Sequence, residues 1–119
     1  MVKFAQLNAA KARQSLIETG RRAEQDKLDF ILLQELWHNF NKSKIIKGGE
    51  ISATSKQLEK TCRAAIWVSD SILRTGKCIL MEQFSNRDCT TVMYESKIMG
   101  NLTKLIICSI YMPSREENG

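Results

Sequence analysis

The stretch Lys27 to His38, KLDFILLQELWH, decides how the fold is read. Leu28 to Leu33 is an almost unbroken apolar run, shorter than an ordinary helix and bounded by charge on its N-terminal side. Such a run predicts a strand buried on both faces. It stops on two polar residues, Gln34 and Glu35. A central parallel strand delivers the residues at its end to the carboxyl edge of the sheet, where open α/β sheets place their ligands. A carboxylate at that edge suits a hard cation. Taken alone, Glu35 reads more readily as a solvated charge just past a strand.

The residues on the N-terminal side sharpen this. Val2 to Leu7, VKFAQL, alternates and is short enough to be a first strand, ending at Asn8. From Ala9 the period changes: Ala9, Ala12, Leu16, Gly20 and Ala23 recur at helical spacing, with Lys11, Arg13, Arg22 and Gln25 on the other sides, predicting an amphipathic helix to about Asp26. Asn8 stands where that helix needs an N-cap, because its side-chain oxygen can take an orphan backbone N–H of the first turn. Strand, helix and strand make a βαβ unit with parallel strands and a right-handed crossover. Asn8 and Glu35 should then lie on one edge of the sheet.

Downstream, Leu36 to Lys60 is polar and basic, contains Gly48 and Gly49, and predicts a long surface loop with a short helical piece around Ser55 to Lys60. Lys42, Lys44 and Lys47 in this loop are candidate contacts to nucleic acid. Arg63 to Ser69 predicts a third strand. Cys78 to Phe84 and Thr90 to Glu95, separated by the turn formers Ser85 to Asp88, predict an antiparallel hairpin. Turn chemistry at Gly100 and Asn101 precedes a last strand, Lys104 to Met112, which Pro113 ends.

Composition sets the outer bounds. The 119 residues suffice for one domain with a modest core, and 43% hydrophobic content is that of an ordinary globular chain. No apolar run approaches the roughly 20 residues needed to cross a bilayer. Met1 opens into an alternating segment rather than a charged leader and apolar core, so an intracellular protein is expected. Cys62, Cys78, Cys89 and Cys108 form no C-x-x-C pair and sit in apolar, strand-like settings, which favours reduced, packed thiols over disulfides or zinc. Eighteen Lys and Arg against 13 Asp and Glu give a formal charge of +5, a balance that suits a polyanion partner such as nucleic acid.

Four pieces occur in order: L-N at Leu7 and Asn8, L-Q-E at Leu33 to Glu35, R-A-A-I-W-V at Arg63 to Val68, and I-Y-M-P-S at Ile110 to Ser114. Together they resemble the first half of the endonuclease/exonuclease/phosphatase superfamily. More narrowly, L-N-A-A-K-A-R, L-D-F-I-L-L-Q-E-L-W and R-A-A-I resemble the apurinic-type endonuclease domain of non-LTR retrotransposons of the jockey or R1 kind. The resemblance covers essentially the whole chain. It implies an α/β (α+β) fold, a partial, truncated four-layer α/β sandwich with a mixed sheet, all 119 residues belonging to one partial domain.

The resemblance also implies a chemistry, magnesium-assisted hydrolysis of a DNA phosphodiester, with manganese as an alternative ion. In it Glu35 matches the glutamate that holds the metal, Asn8 the asparagine near the metal and the attacking water, and Tyr111 the tyrosine that contacts the scissile phosphate. The implied partners are DNA and the rest of an endonuclease and reverse transcriptase polyprotein, and the implied place of action on chromosomal DNA is the nucleus. Trp37 and Trp67 are expected to pack. His38, the sole histidine, matches no family motif and is not taken as a general base.

The chain departs from the family pattern in one respect. No G-D-x-N block and no D-H pair occurs within the 119 residues. Those blocks supply further metal ligands and the base, and general-base assistance is worth on the order of 100- to 10,000-fold. Half a sandwich is also expected to leave an inner sheet surface uncovered. A DNA-binding fragment that does not cut, or a relic without selected function, are the competing expectations.

Overall fold

The computed structural model describes residues 2–10, 12–36, 46–53, 62–98 and 101–112. The expected buried strand is present as Phe30–Gln34, and all of its residues but Leu32 are fully buried. It pairs in parallel with β1, Phe4–Asn8, in a register that runs from Phe4 opposite Phe30 to Asn8 opposite Gln34. With Phe30–Gln34 as β2, Gly49–Ser52 as β3 and Ala64–Ser69 as β4, the sheet order is β1-β2-β4-β3, and both other pairings are antiparallel.

Parallel neighbours need a crossover, supplied here by α1, Arg13–Asp26. Leu16, Thr19 and Ala23 are its buried positions, a spacing that forms one helical stripe. The stripe lies over Ile31, Leu33, Ala65 and Trp67 on one face of the sheet. The helix starts later than its periodicity predicts, and Asn8 is not its N-cap. The Asn8 Oδ1 accepts the Ala10 N–H at 2.9 Å, closing an Asx-type turn with Ala10 at φ +50°. Ala9, fully buried, donates its N–H to the Gln34 carbonyl at 2.8 Å. This turn consumes the segment expected to be the first helical turn, and the helix opens after Ala12, which offers no side-chain cap. It closes at Lys27, whose left-handed φ of +52° lets its N–H bond the Ala23 carbonyl.

A second sheet contains β5, Gly76–Leu80, β6, Cys89–Ile98, and β7, Asn101–Ile110, antiparallel and in the order β5-β6-β7. The predicted hairpin is therefore there. Its first strand is shorter than expected, because Glu82–Phe84 turns into a 3-10 segment. Two elements had no visible signal. The strand β3 falls inside the predicted loop, and α2, Asp70–Thr75, is short and buries no residue, so it leaves no apolar period. The cap of α2 is legible only in structure, where Ser69 Oγ accepts the Ile72 N–H at 3.1 Å. The helical piece expected around residues 55–60 and the turn glycine Gly100 lie outside the described residues.

The inner faces do not stand uncovered, contrary to expectation. Phe30, Ile66 and Val68 from the first sheet pack directly on Val92, Tyr94 and Ile107 from the second. The Phe30 ring stacks on Phe4 at 5.2 Å and meets Tyr94 edge-on at 5.8 Å. Exposure falls elsewhere: on Phe4 in β1, 48% accessible, and on Ile79, Ile106 and Ile110, which alternate out of the second sheet on its far side. The whole is a mixed α+β arrangement, helix on sheet on sheet.

Gly49 marks how closely β3 lies on β4. A Cβ added there would collide with the Val68 carbonyl oxygen and come within 2.6 Å of Cε2 in the Trp67 side chain, both parts of the buried β4. Gly49→Ala is expected to cost roughly 1–3 kcal/mol through overpacking, read as a lower urea midpoint with an unchanged slope. An unchanged midpoint would show that this edge does not contribute to the folded core.

Candidate functional site

Five strand ends meet on one edge. Parallel pairing brings the ends of β1 and β2 together, so Asn8 stands opposite Gln34 and Glu35 follows one residue on. Neighbouring strands lie about 4.8 Å apart, which makes Asn8 and Glu35 close neighbours along this edge. The antiparallel β4 begins here, and the Glu35 N–H bonds the Arg63 carbonyl at 3.0 Å, followed by Leu36 N–H to the Cys62 carbonyl at 2.9 Å. The second sheet contributes the start of β6 and the end of β7, where the Tyr111 N–H donates to the Asp88 carbonyl at 2.7 Å.

Glu35 is half-buried and sits at φ +48°, the left-handed region that a residue with a Cβ enters at a cost of about 1–2 kcal/mol. Its backbone bond to Arg63 holds it there. Asn8 is exposed, with its side-chain oxygen already accepting from Ala10.

Arg63 joins the two sheets. Its Nη1 lies 2.9 Å from the Asp88 carboxylate, and its guanidinium carbon lies 5.2 Å from the centre of the Tyr111 ring. Both charged side chains are about a third exposed, so the ion pair contributes on the order of 1 kcal/mol or less, and the cation over the ring about as much again. Their larger effect is positional, fixing Tyr111, which is 7% exposed, against the edge. Asp88 is itself set by a turn in which the Asn86 Oδ1 accepts its N–H at 2.9 Å.

Beneath this rim the interface is polar and buried. Gln34 Nε2 donates to Ser109 Oγ at 2.9 Å, and Ser109 Oγ donates to the Leu33 carbonyl at 2.9 Å. Thr90 Oγ1 donates to the Ala64 carbonyl at 2.8 Å. All three side chains are buried, so each bond serves polar groups withdrawn from solvent.

The edge thus brings together Asn8, Glu35 and Tyr111, the three residues singled out from the sequence. It adds Arg63, Asp88, Ser109 and Thr90. Arg63 opens the R-A-A-I segment and Asp88 sits among turn formers, but no spacing in the chain links either one to Tyr111. Lys47 is not part of this edge. It precedes Gly48, whose carbonyl accepts the Asp70 N–H at 2.8 Å, and so lies at the opposite end of β4. Lys42, Lys44, Trp37 and His38 lie outside the described residues. Trp67 is a core residue, 2% exposed, as expected.

For a metal, the edge offers hard oxygen donors: the Glu35 carboxylate and the Asn8 amide. Among the described residues no three acidic, histidine or cysteine side chains gather into a metal-ligating group. This donor set fits magnesium, which keeps several waters and accepts one or two protein carboxylates together with substrate phosphate.

Two sheets packed face to face, one mixed and one antiparallel, with α1 outside and polar residues at the strand ends, define an α+β sandwich whose fold two solved structures share. The chain is similar to the endonuclease domain of TRAS1, a telomere-specific non-LTR retrotransposon, with a TM-score of 0.73 and 20% identity over 91% of this chain and 44% of that one. It is also similar to humanized D. rerio TDP2 carrying 14 mutations, with a TM-score of 0.55 and 12% identity over 98% of this chain and 49% of that one. The chain therefore spans less than half the length of either. No protein-family profile and no curated protein matches it.

Cys62 lies under this edge, fully buried, with its carbonyl bonded to Leu36. Burial pushes its thiol from the ordinary 9.0 up to about 12. The folded chain therefore keeps a proton that the unfolded chain sheds above pH 9, and the stability this contributes is whole below pH 9 and lost between 9 and 12. The stability difference between the natural chain and Cys62→Ala is expected to shrink by about 1.4 kcal/mol per pH unit across that window. Urea midpoints at a series of pH values measure it, and a pH-independent difference would mean that Cys62 titrates normally.

Proposed function

We propose that this chain is the N-terminal half of a magnesium-dependent DNA endonuclease domain of a non-LTR retrotransposon, inactive by itself. The observation that carries the reading is the meeting of Asn8, Glu35 and Tyr111 on one edge, with Glu35 held in a strained left-handed turn. Strain of this kind concentrates where a side chain is being aimed. Magnesium bound there would offset charge building on a phosphate oxygen and on the departing oxygen. Glu35 would hold the ion, and Asn8 would orient water or phosphate beside it. Tyr111 offers a neutral hydroxyl to the phosphate without repelling the anion. The net charge of +5 favours the approach of DNA. Action on chromosomal DNA would place the protein in the nucleus, attached to the remainder of its polyprotein.

The proposed inactivity rests on the lack of a D-H pair among the 119 residues. Without that pair, water is poorly deprotonated and the rate falls by about two to four orders of magnitude. The incomplete donor set among the described residues also favours a second reading, a basic fragment that holds nucleic acid without cutting it. A relic without selected function would show no specific metal binding at all.

Manganese, titrated into the 15N-labelled chain as a paramagnetic stand-in for magnesium, is expected to broaden the amide signals of Asn8, Glu35 and Leu36, and Glu35→Gln to abolish this. Broadening centred elsewhere, or unaffected by the substitution, would overturn the metal-holding role. If the reading frame continues into G-D-x-N and D-H blocks, the longer product is expected to nick supercoiled plasmid with magnesium, and Glu35→Gln to slow it by about 100-fold or more. Nicking that survives the substitution would point to a different catalytic centre.

A further inference from the structure

The sequence shows four cysteines with no pairing pattern, yet the fold brings two of them together. In the register of β6 on β7, Cys89 faces Ile110 and Thr91 faces Cys108, so the cysteines are diagonal neighbours on the same, outward face of the second sheet. Their Sγ atoms are 2.9 Å apart, and both residues are half-buried, open in part to solvent. Both are free thiols. Thr91 Oγ1, which donates to the Phe84 carbonyl at 2.8 Å, lies 3.3 Å from Cys108 Sγ and 3.6 Å from Cys89 Sγ, beside both sulfurs. The other two cysteines differ in kind: Cys62 is sealed in the core, and Cys78 faces inward against the inter-sheet cluster.

We propose that Cys89 and Cys108 form a reversible intramolecular disulfide site, closed by a hydroperoxide and reopened by a dithiol reductant. One thiolate attacks a peroxide oxygen, the O–O bond breaks, and a sulfenic acid forms while the other oxygen leaves as water or alcohol after protonation. The second thiolate attacks that sulfenic sulfur, the S–S bond forms, and the hydroxyl departs as water. Two electrons pass from the two sulfurs to the peroxide, and the two thiol protons end in water. With the partner sulfur already in contact, the second step outruns further oxidation to sulfinic acid.

The position gives the bond a consequence. Cys89 follows Asp88, whose carboxylate holds Arg63 and whose carbonyl holds the backbone of Tyr111; Cys108 is three residues before Tyr111. The disulfide would staple the open end of the β6–β7 hairpin directly behind the candidate edge. Burial and the neighbouring Cys108 both raise the Cys89 thiol above its ordinary value, so closure should be slow at neutral pH and accelerate as the solution becomes alkaline.

Trypsin separates the four cysteines cleanly, onto the peptides 61–63, 78–87, 88–97 and 105–115. After stoichiometric hydrogen peroxide, the intact monomer is expected to lose two hydrogens, and a single linked pair, 88–97 with 105–115, to appear without reductant and vanish with dithiothreitol. The oxidised chain should melt at least about 5 °C higher. In Cys108→Ser the link should be absent and Cys89 should be trapped by a sulfenic-acid reagent instead. Links involving Cys62 or Cys78, links between chains, or sulfinic acid at Cys89 beside a free Cys108 in the natural chain would each overturn the proposal. The peptide map of the natural chain decides it even if Cys108→Ser does not fold.

Discussion

The structure depends on β2 being covered on both faces while ending in polar residues. One face is sealed by α1 through Leu16 and Ala23, the other by the second sheet through Val92, Tyr94 and Ile107. A strand so enclosed cannot leave Gln34 unsatisfied, because a buried amide without partners costs several kcal/mol. Ser109 resolves this by accepting from Gln34 and donating to Leu33. Hydrophobic packing alone would let two sheets slide past one another at little cost. The Gln34–Ser109 bond and the bond from Thr90 to the Ala64 carbonyl fix where they stop. That choice places Asp88 and Tyr111 beside Arg63, and all of them on the edge that carries Asn8 and Glu35.

The edge is held by several weak contacts around one residue. Arg63 receives Glu35 through its carbonyl, pairs with Asp88 through one nitrogen and sets its guanidinium carbon over the Tyr111 ring. None of these is large at partial exposure. Their value lies in crossing between sheets, since each connects an element of the first sheet to one of the second or to the strand end beside it. The Cys89–Cys108 contact lies on the opposite face of the same hairpin mouth, so both sides of β6 and β7 near the edge carry groups that could restrict it.

The exposed apolar residues fit a chain that spans under half the length of the solved structures it matches. Phe4 shares its face with Phe30 but lies beyond the reach of the three-stranded sheet, and Ile106 and Ile110 stand out from β7. The inter-sheet core is nevertheless real and made from both halves of the sequence. The expectation of an uncovered inner face failed because the last three strands fold back onto the first sheet rather than extending it.

Much of this was legible beforehand. The apolar run ending in Gln34 and Glu35, the helical period before it and the alternation of VKFAQL determined a parallel βαβ unit and put Asn8 and Glu35 on one edge, because period and burial are local consequences of side-chain type. The turn formers at Ser85 to Asp88 likewise determined the β6 pairing. Only the tertiary structure decided the rest. It made Asn8 an Asx turn instead of a helix cap, since the Gln34 carbonyl draws Ala9 back onto the sheet. It also joined Arg63 to Asp88 and Tyr111, and brought Cys89 against Cys108. Residues 25, 48 and 19 positions apart meet only because sheet packing and strand register, which no local pattern encodes, set their neighbours.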